Sequence, residues 1–197
     1  MERTEKGALD PALEARLEAL LNEKLDGLID KKLAALLEKD RSRKKRVAIV
    51  VSKGTLEAAY PPLILATTAI ALDMEAALFF TFFGLHVLKK GSPESLRFVP
   101  LGNPAIPMPM PNIVSALPGM TALATLMMKK TIQSKQIVSI PELIELSKES
   151  GVKLWPCQMT MDMMGIQYGD LISGLEEPVG AATFLSYAAE SDISLFV

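Results

Sequence analysis

Five consecutive apolar residues, Val47-Ala48-Ile49-Val50-Val51, constrain the fold more than any other stretch. A strand with one wet face alternates apolar and polar residues. An unbroken β-branched run belongs to a strand covered on both faces, the central position of a parallel sheet. Ser52-Lys53-Gly54-Thr55 then makes a tight turn, and the pattern predicts a helix over 56–72, kinked or restarted at Pro61-Pro62. A second strand is predicted over 76–80, with Thr81-Phe82-Phe83-Gly84 carrying the chain across its carboxyl end. Helices are predicted over 120–130, 141–150, 170–175 and 179–190, a short strand over 152–155 and a terminal strand over 193–197. Strands alternating with helices imply a three-layer α/β/α domain with a mostly parallel central sheet, flavodoxin- or Rossmann-like in class. Ligands of such sheets gather beyond the strand carboxyl ends, which puts Ser52 to Thr55, Thr81 to Gly84 and Cys157 on one rim.

The first residues read differently. Leucines at 9, 13, 17, 20, 21, 25, 28, 33 and 36, with Glu, Lys and Arg between them, recur at steps of three and four. That spacing predicts an amphipathic helix or helix pair, started by Asp10 as N-cap and Pro11 at the first turn, with Gly27 its weak point. Its leucine seam favours a coiled-coil-like oligomerisation arm, the alternative being a solvated linker helix. The basic run 41–46 reads as a hinge. The chain thus divides into an arm over 1–45 and an α/β domain over 46–197.

Several function classes fall away. The net charge of −2 and the lack of a basic stripe interleaved with aromatics argue against nucleic-acid binding. Hydrophobic residues make up 49% and mean hydropathy is +0.26, so a buried sheet or a membrane contact is expected. The longest apolar stretches, 61–72 and 76–88, are separated by Asp73 and Glu75, and neither reaches the roughly 18 to 20 residues of a bilayer span. No transmembrane span is expected, and a peripheral membrane contact stays as the minor alternative. The charged start lacks a secretory apolar region, and cysteine usage fits a cytoplasmic protein. The turn after the first strand lacks the Gly-x4-Gly-Lys-Ser/Thr order of a phosphate loop. His86, the only histidine, reads as a structural residue near an apolar turn, with a general base reaching Cys157 as the alternative. One His and one Cys are too few for a zinc site, and no metal or cofactor is expected. Six prolines, with Met108 and Met110, make the stretch 99–119 a flap or an oligomer contact.

Cys157 is the only cysteine, so any thiol chemistry happens there, without an intrachain disulfide partner. Pro156 cannot donate to a sheet ladder, so pairing is expected to stop just before the sulfur. The run Gln158-Met159-Thr160-Met161-Asp162-Met163-Met164-Gly165 is read as a turn into a short helix, whose N-terminus favours a thiolate. Beside this stands the reading of a lone cysteine as a small apolar filler among methionines that fill a core.

Cys157-Gln158-Met159-Thr160-Met161-Asp162-Met163-Met164-Gly165-Ile166 resembles the cysteine motif of the DsrE/DsrF/DsrH-like family, in its DsrE2-type branch. Thr160 stands where that branch commonly has Ser. The similarity extends to Phe80-Thr81-Phe82-Phe83-Gly84-Leu85 and to the stretch 120–129, so it spans 46–197. The resemblance implies a DsrE-like fold and a sulfurtransferase or sulfur carrier, with Cys157 taking a persulfide or thiosulfonate and passing it to a partner protein. It also implies TusA-like sulfur carriers and rhodanese-like donors as partners, and assembly as a homo-oligomer.

The chemistry suits the residues, since one cysteine suffices where the second thiol belongs to a partner. Met159, Met161, Phe82 and Phe83 are expected as a dry collar around the loaded sulfur. Lys53 or the backbone N–H groups near Gly54 and Gln158 are expected to hold an anionic thiosulfonate, with Ser52 and Gly84 beside them. Two other classes use the same residues: a one-cysteine thiol peroxidase, and a non-catalytic oligomeric or membrane-peripheral assembly protein in which Cys157 is filler.

Overall fold

Asp10 begins the first helix by accepting a hydrogen bond at its carboxylate from the Ala12 N–H, 3.1 Å away, with proline at the first helical position. The structure, a computed structural model, describes residues 10–99 and 119–197. All but the two end residues of the proline-rich stretch therefore lie outside the described residues. The chain divides into two units, Met1–Lys44 and Lys45–Val197. In the first, α1 (Pro11–Ser42) passes through Gly27 without a break, so one helix forms where one or two were expected.

In the second unit the order is β1 (Arg46–Val51), α2 (Leu56–Ala71), β2 (Glu75–Phe80), a 3-10 helix (Phe82–Leu88), α3 (Met120–Ser134), α4 (Ile140–Glu149), β3 (Lys153–Pro156), α5 (Gln158–Met164), a short 3-10 turn (Tyr168–Asp170), α6 (Ala181–Ala189) and β4 (Ile193–Phe196). Each strand pair is parallel, and the order across the sheet is β3-β2-β1-β4. The two apolar runs, β1 and β2, take the centre, paired from Arg46 with Glu75 to Val51 with Phe80. That is where continuous β-branched and aromatic residues belong, because both faces are covered.

The two faces are covered unequally. Val47, Ile49, Val51, Leu78, Phe80 and Leu154 join Leu56, Leu63 and Ala66 of α2 and Ile140, Leu143 and Ile144 of α4 in the larger core. Fully burying an aliphatic side chain such as Leu63 or Ile49 contributes about 1.5–3 kcal/mol. The opposite face carries a smaller cluster of Ala48, Phe79, Cys157 and Phe184 beneath α6.

Of the outcomes expected at Pro61-Pro62, a restart does not occur, since α2 stays helical from Leu56 to Ala71. The prolines remove two ladder donors, yet burial of Leu56, Ala59, Pro62 and Leu63 holds both turns in place. The stretch 170–175 is not a helix. After the 3-10 turn its backbone is drawn to neighbouring carbonyls, with Ile172 N–H donating to Leu88 (2.9 Å), Glu176 N–H to Leu154 (3.2 Å) and Val179 N–H to Pro156 (3.0 Å). The open side of edge strand β3 is thereby covered, which satisfies carbonyls that a local helix would leave bare.

α4 starts with a capping box. The Ser139 backbone N–H and hydroxyl donate to Glu142 Oε2 at 2.9 and 2.8 Å, and the Glu142 N–H approaches Ser139 Oγ at 3.5 Å. These donors, the backbone N–H first, hold the Glu142 carboxyl below the usual carboxylate range. A depressed folded value means stability that is present above the unfolded pKa and lost as pH falls through the folded one. Ser139→Ala is therefore expected to lower the urea midpoint at neutral pH, with the gap to the parent narrowing as Glu142 protonates. Urea titrations at several pH values check this.

Candidate functional site

Side chains along a strand alternate, so Lys153, Trp155 and Cys157 share one face of the sheet while Leu154 points into the larger core. Pro156 is tolerated because β3 is an edge strand. Pairing does not stop at it. Cys157 N–H donates to the Phe80 carbonyl (3.0 Å), one residue past the expected end, and Cys157 then serves as the N-cap of α5. Gly165, at φ +64°, closes α5 in the left-handed region.

The sulfur-bearing residue is buried. Cys157 is 2% exposed. It packs with Ala48, Phe79 and Phe184, with Val50, Trp155 and Val179 beside them. Its roof is α6, where Phe184 is the only buried residue. The Phe184 ring stacks on Phe79 at 4.7 Å and meets the Trp155 edge at 6.4 Å, and Trp155 meets Tyr187 at 5.2 Å. Burial pushes the Tyr187 phenol up, with Glu75 adding to the shift and Arg46 opposing it. Arg46 ties this side together, reaching Glu75 and Glu190 at 2.8 Å each and donating its backbone N–H to Asp192. Strand direction brings Cys157 to the rim, but it is covered there by a helix that begins at Ala181, beyond the reach of local pattern.

The other expected site residues fall into separate places. Lys53, Gly54 and Phe83 line a cleft of about 430 Å3 together with Thr55, His86, Met164 and Ile166, and Cys157 is not among its lining residues. His86 is exposed, with Nε2 3.4 Å from the Ser92 hydroxyl. Ser52 is tied down structurally, since its N–H and its hydroxyl both donate to the Val197 carbonyl at 2.8 Å. Gly84 is buried, and a Cβ there would collide with the Val51 carbonyl; one on Gly54 would collide with the Phe83 carbonyl. These two glycines let the loops after β1 and β2 touch, so their role is close approach.

The expected collar does not close around the sulfur. Met161 is buried in the larger core, while Met159 is 63%, Phe83 70% and Phe82 47% exposed. The Gln158 N–H is spent on the Val179 carbonyl (3.0 Å), and its side chain donates to Asp162 (2.8 Å).

Thr160 was not singled out as a site residue, yet it ties α5 to the loop after β2. It is buried, with Oγ1 3.2 Å from Thr81 Oγ1 and accepting the Phe82 N–H at 3.0 Å. Phe82 sits at φ +47°, a left-handed conformation that a bulky residue adopts only when held. The retained hydroxyl at position 160 was the one sequence signal pointing to this role.

The profile of the DsrE/DsrF/DrsH-like family matches residues 43–196. The sulfur carrier protein DsrE2 of Allochromatium vinosum is 48% identical over 160 residues, covering 78% of this chain and 99% of that protein. The uncharacterized protein YrkE of Bacillus subtilis is 31% identical over 163 residues, 78% of this chain and 97% of its own. The crystal structure of the ychN protein from E. coli aligns with a TM-score of 0.49 at 14% identity, covering 79% of this chain and 100% of that one.

If Phe184 is the plug above the thiol, Phe184→Ala raises the rate at which iodoacetamide alkylates the native protein, by about tenfold for each ~1.4 kcal/mol of cover removed. Leu185→Ala, on the exposed side of α6, leaves the rate unchanged. Mass-resolved alkylation time courses check both; equal rates for the parent and Phe184→Ala would remove Phe184 from this role.

Proposed function

The chain belongs to the DsrE/DsrF/DrsH-like family, and from that membership we propose that it is a sulfur carrier whose cargo rides on Cys157. The observation that carries this reading is the 48% identity to a protein named as a sulfur carrier, over 99% of that protein's length, in a chain with a single thiol at a strand's carboxyl end. In loading, the Cys157 thiolate attacks the outer sulfur of a donor persulfide. A new S–S bond forms, the donor's S–S bond breaks, and the donor leaves as a thiolate. In delivery, a partner thiolate attacks the outer sulfur of the Cys157 persulfide, and Cys157 leaves as thiolate. No external oxidant is consumed. With tetrathionate as donor, the same attack leaves a thiosulfonate on Cys157 and releases thiosulfate.

Supporting roles follow from placement. Phe82, Phe83, Gln158 and Met159 are exposed and serve as the surface a protein partner meets. Lys53, with Gly54, faces the cleft and suits an anionic sulfur compound. A TusA-like carrier and a rhodanese-like donor are the partner classes, in the cytoplasm, with α1 holding copies together. The 2% exposure of Cys157 favours a second reading, a non-catalytic assembly protein in which the thiol is filler.

Intact mass after incubation with polysulfide, thiosulfate or tetrathionate separates the two. A carrier gains one sulfur or one thiosulfonate that reductant removes and that Cys157→Ser lacks. No adduct from any of the three donors rejects the carrier reading and leaves the assembly protein.

A further inference from the structure

Residues 13–40 form seven successive blocks of four, from Leu13-Glu14-Ala15-Arg16 to Leu37-Glu38-Lys39-Asp40, each opened by leucine or isoleucine. Four residues carry an α-helix about 40° past a full turn. The stripe Leu13, Leu17, Leu21, Leu25, Ile29, Leu33, Leu37 therefore winds right-handed around α1. A heptad seam drifts about 20° per repeat the other way and makes left-handed coils. This helix cannot lie along a partner as a leucine zipper does, because its apolar stripe turns away from any straight neighbour.

A step of four is a natural ridge of the helix surface. On one side of the leucine ridge runs a second, Arg16, Leu20, Lys24, Leu28, Lys32 and Leu36, alternating base and leucine. On the other side runs an acidic one, Glu14, Glu18, Asp26, Asp30 and Glu38, interrupted at Asn22 and Ala34. Between the first two the structure shows an open groove of about 370 Å3 lined by Leu17, Leu20, Leu21, Lys24, Leu25 and Leu28. The nine leucine and one isoleucine side chains from Leu13 to Leu37 are each at least half exposed.

We propose that this groove receives the leucine ridge of α1 from a second copy of the chain, the two helices crossing in parallel orientation. Interdigitating ridges of this type cross at about 50°. Charge selects both the occupant and its direction. When two such helices face each other in parallel, the acidic ridge of each lies against the base-bearing ridge of the other. In the antiparallel arrangement acid meets acid and base meets base. A second copy thus satisfies the apolar groove and both flanks at once.

The test uses the full chain with Cys157→Ser and one new cysteine, either Leu21→Cys at the groove or Leu37→Cys sixteen residues on, helical content being confirmed by circular dichroism. Position 37 lies about 24 Å along the axis from the crossing. At a crossing of about 50° the two copies of that site are roughly 20 Å apart, outside disulfide reach. Mild oxidation should therefore link copies through position 21 and not through 37. Equal linking at both positions, or none at 21, overturns the proposal. In the otherwise unaltered chain, Lys24→Glu should weaken self-association by about tenfold in sedimentation equilibrium, the loss of about 1.4 kcal/mol. Adding Glu18→Lys and Asp26→Lys should restore it, and failure to do so overturns the parallel arrangement.

Discussion

The pairing of β1 with β2 is the constraint on which the α/β unit depends. Residue for residue from Arg46/Glu75 to Val51/Phe80, it sets two strands, apolar beyond their first residues, side by side in parallel. Both strands therefore end on the same rim, and the loops that follow must pass over one another. They do so at Gly84 against the Val51 carbonyl and Gly54 against the Phe83 carbonyl, contacts that leave no room for a Cβ. Thr160 locks the arrangement from α5 by accepting the Phe82 N–H. Strand direction thus carries the loop at Lys53, the loop at Phe82 and the start of α5 to one end of the sheet.

The two faces of the sheet do different work. The α2/α4 face holds the larger core and most of the fully buried aliphatic side chains. The α6 face holds a handful of side chains, among them the sole thiol, under a helix that buries one phenylalanine. Local opening is cheapest where few apolar contacts are lost. A sulfur kept dry under such a cover is shielded from water and oxidants while closed, and the same cover limits its access to any donor.

Much of the architecture was legible. The two central strands follow from β-branched and apolar runs, and the start of α1 from Asp10-Pro11. The family was legible in the cysteine motif and in the stretches around Phe82 and Met120. What escaped were features set by distant partners. The region after Asp170 lacks a helix because β3 needed its backbone. Met161 and Cys157, four residues apart, went to opposite clusters.

The sequence by itself determined the periodicities, the caps, the single thiol and the four-residue pattern of α1, because each is written in neighbours a few residues apart. Only the tertiary structure decided that the thiol is covered, that Lys53 and Phe83 line a cleft Cys157 does not share, and that Gly84 serves a loop crossing. Those outcomes depend on which face a strand register assigns and on what a remote helix lays over it, and neither is encoded in local spacing.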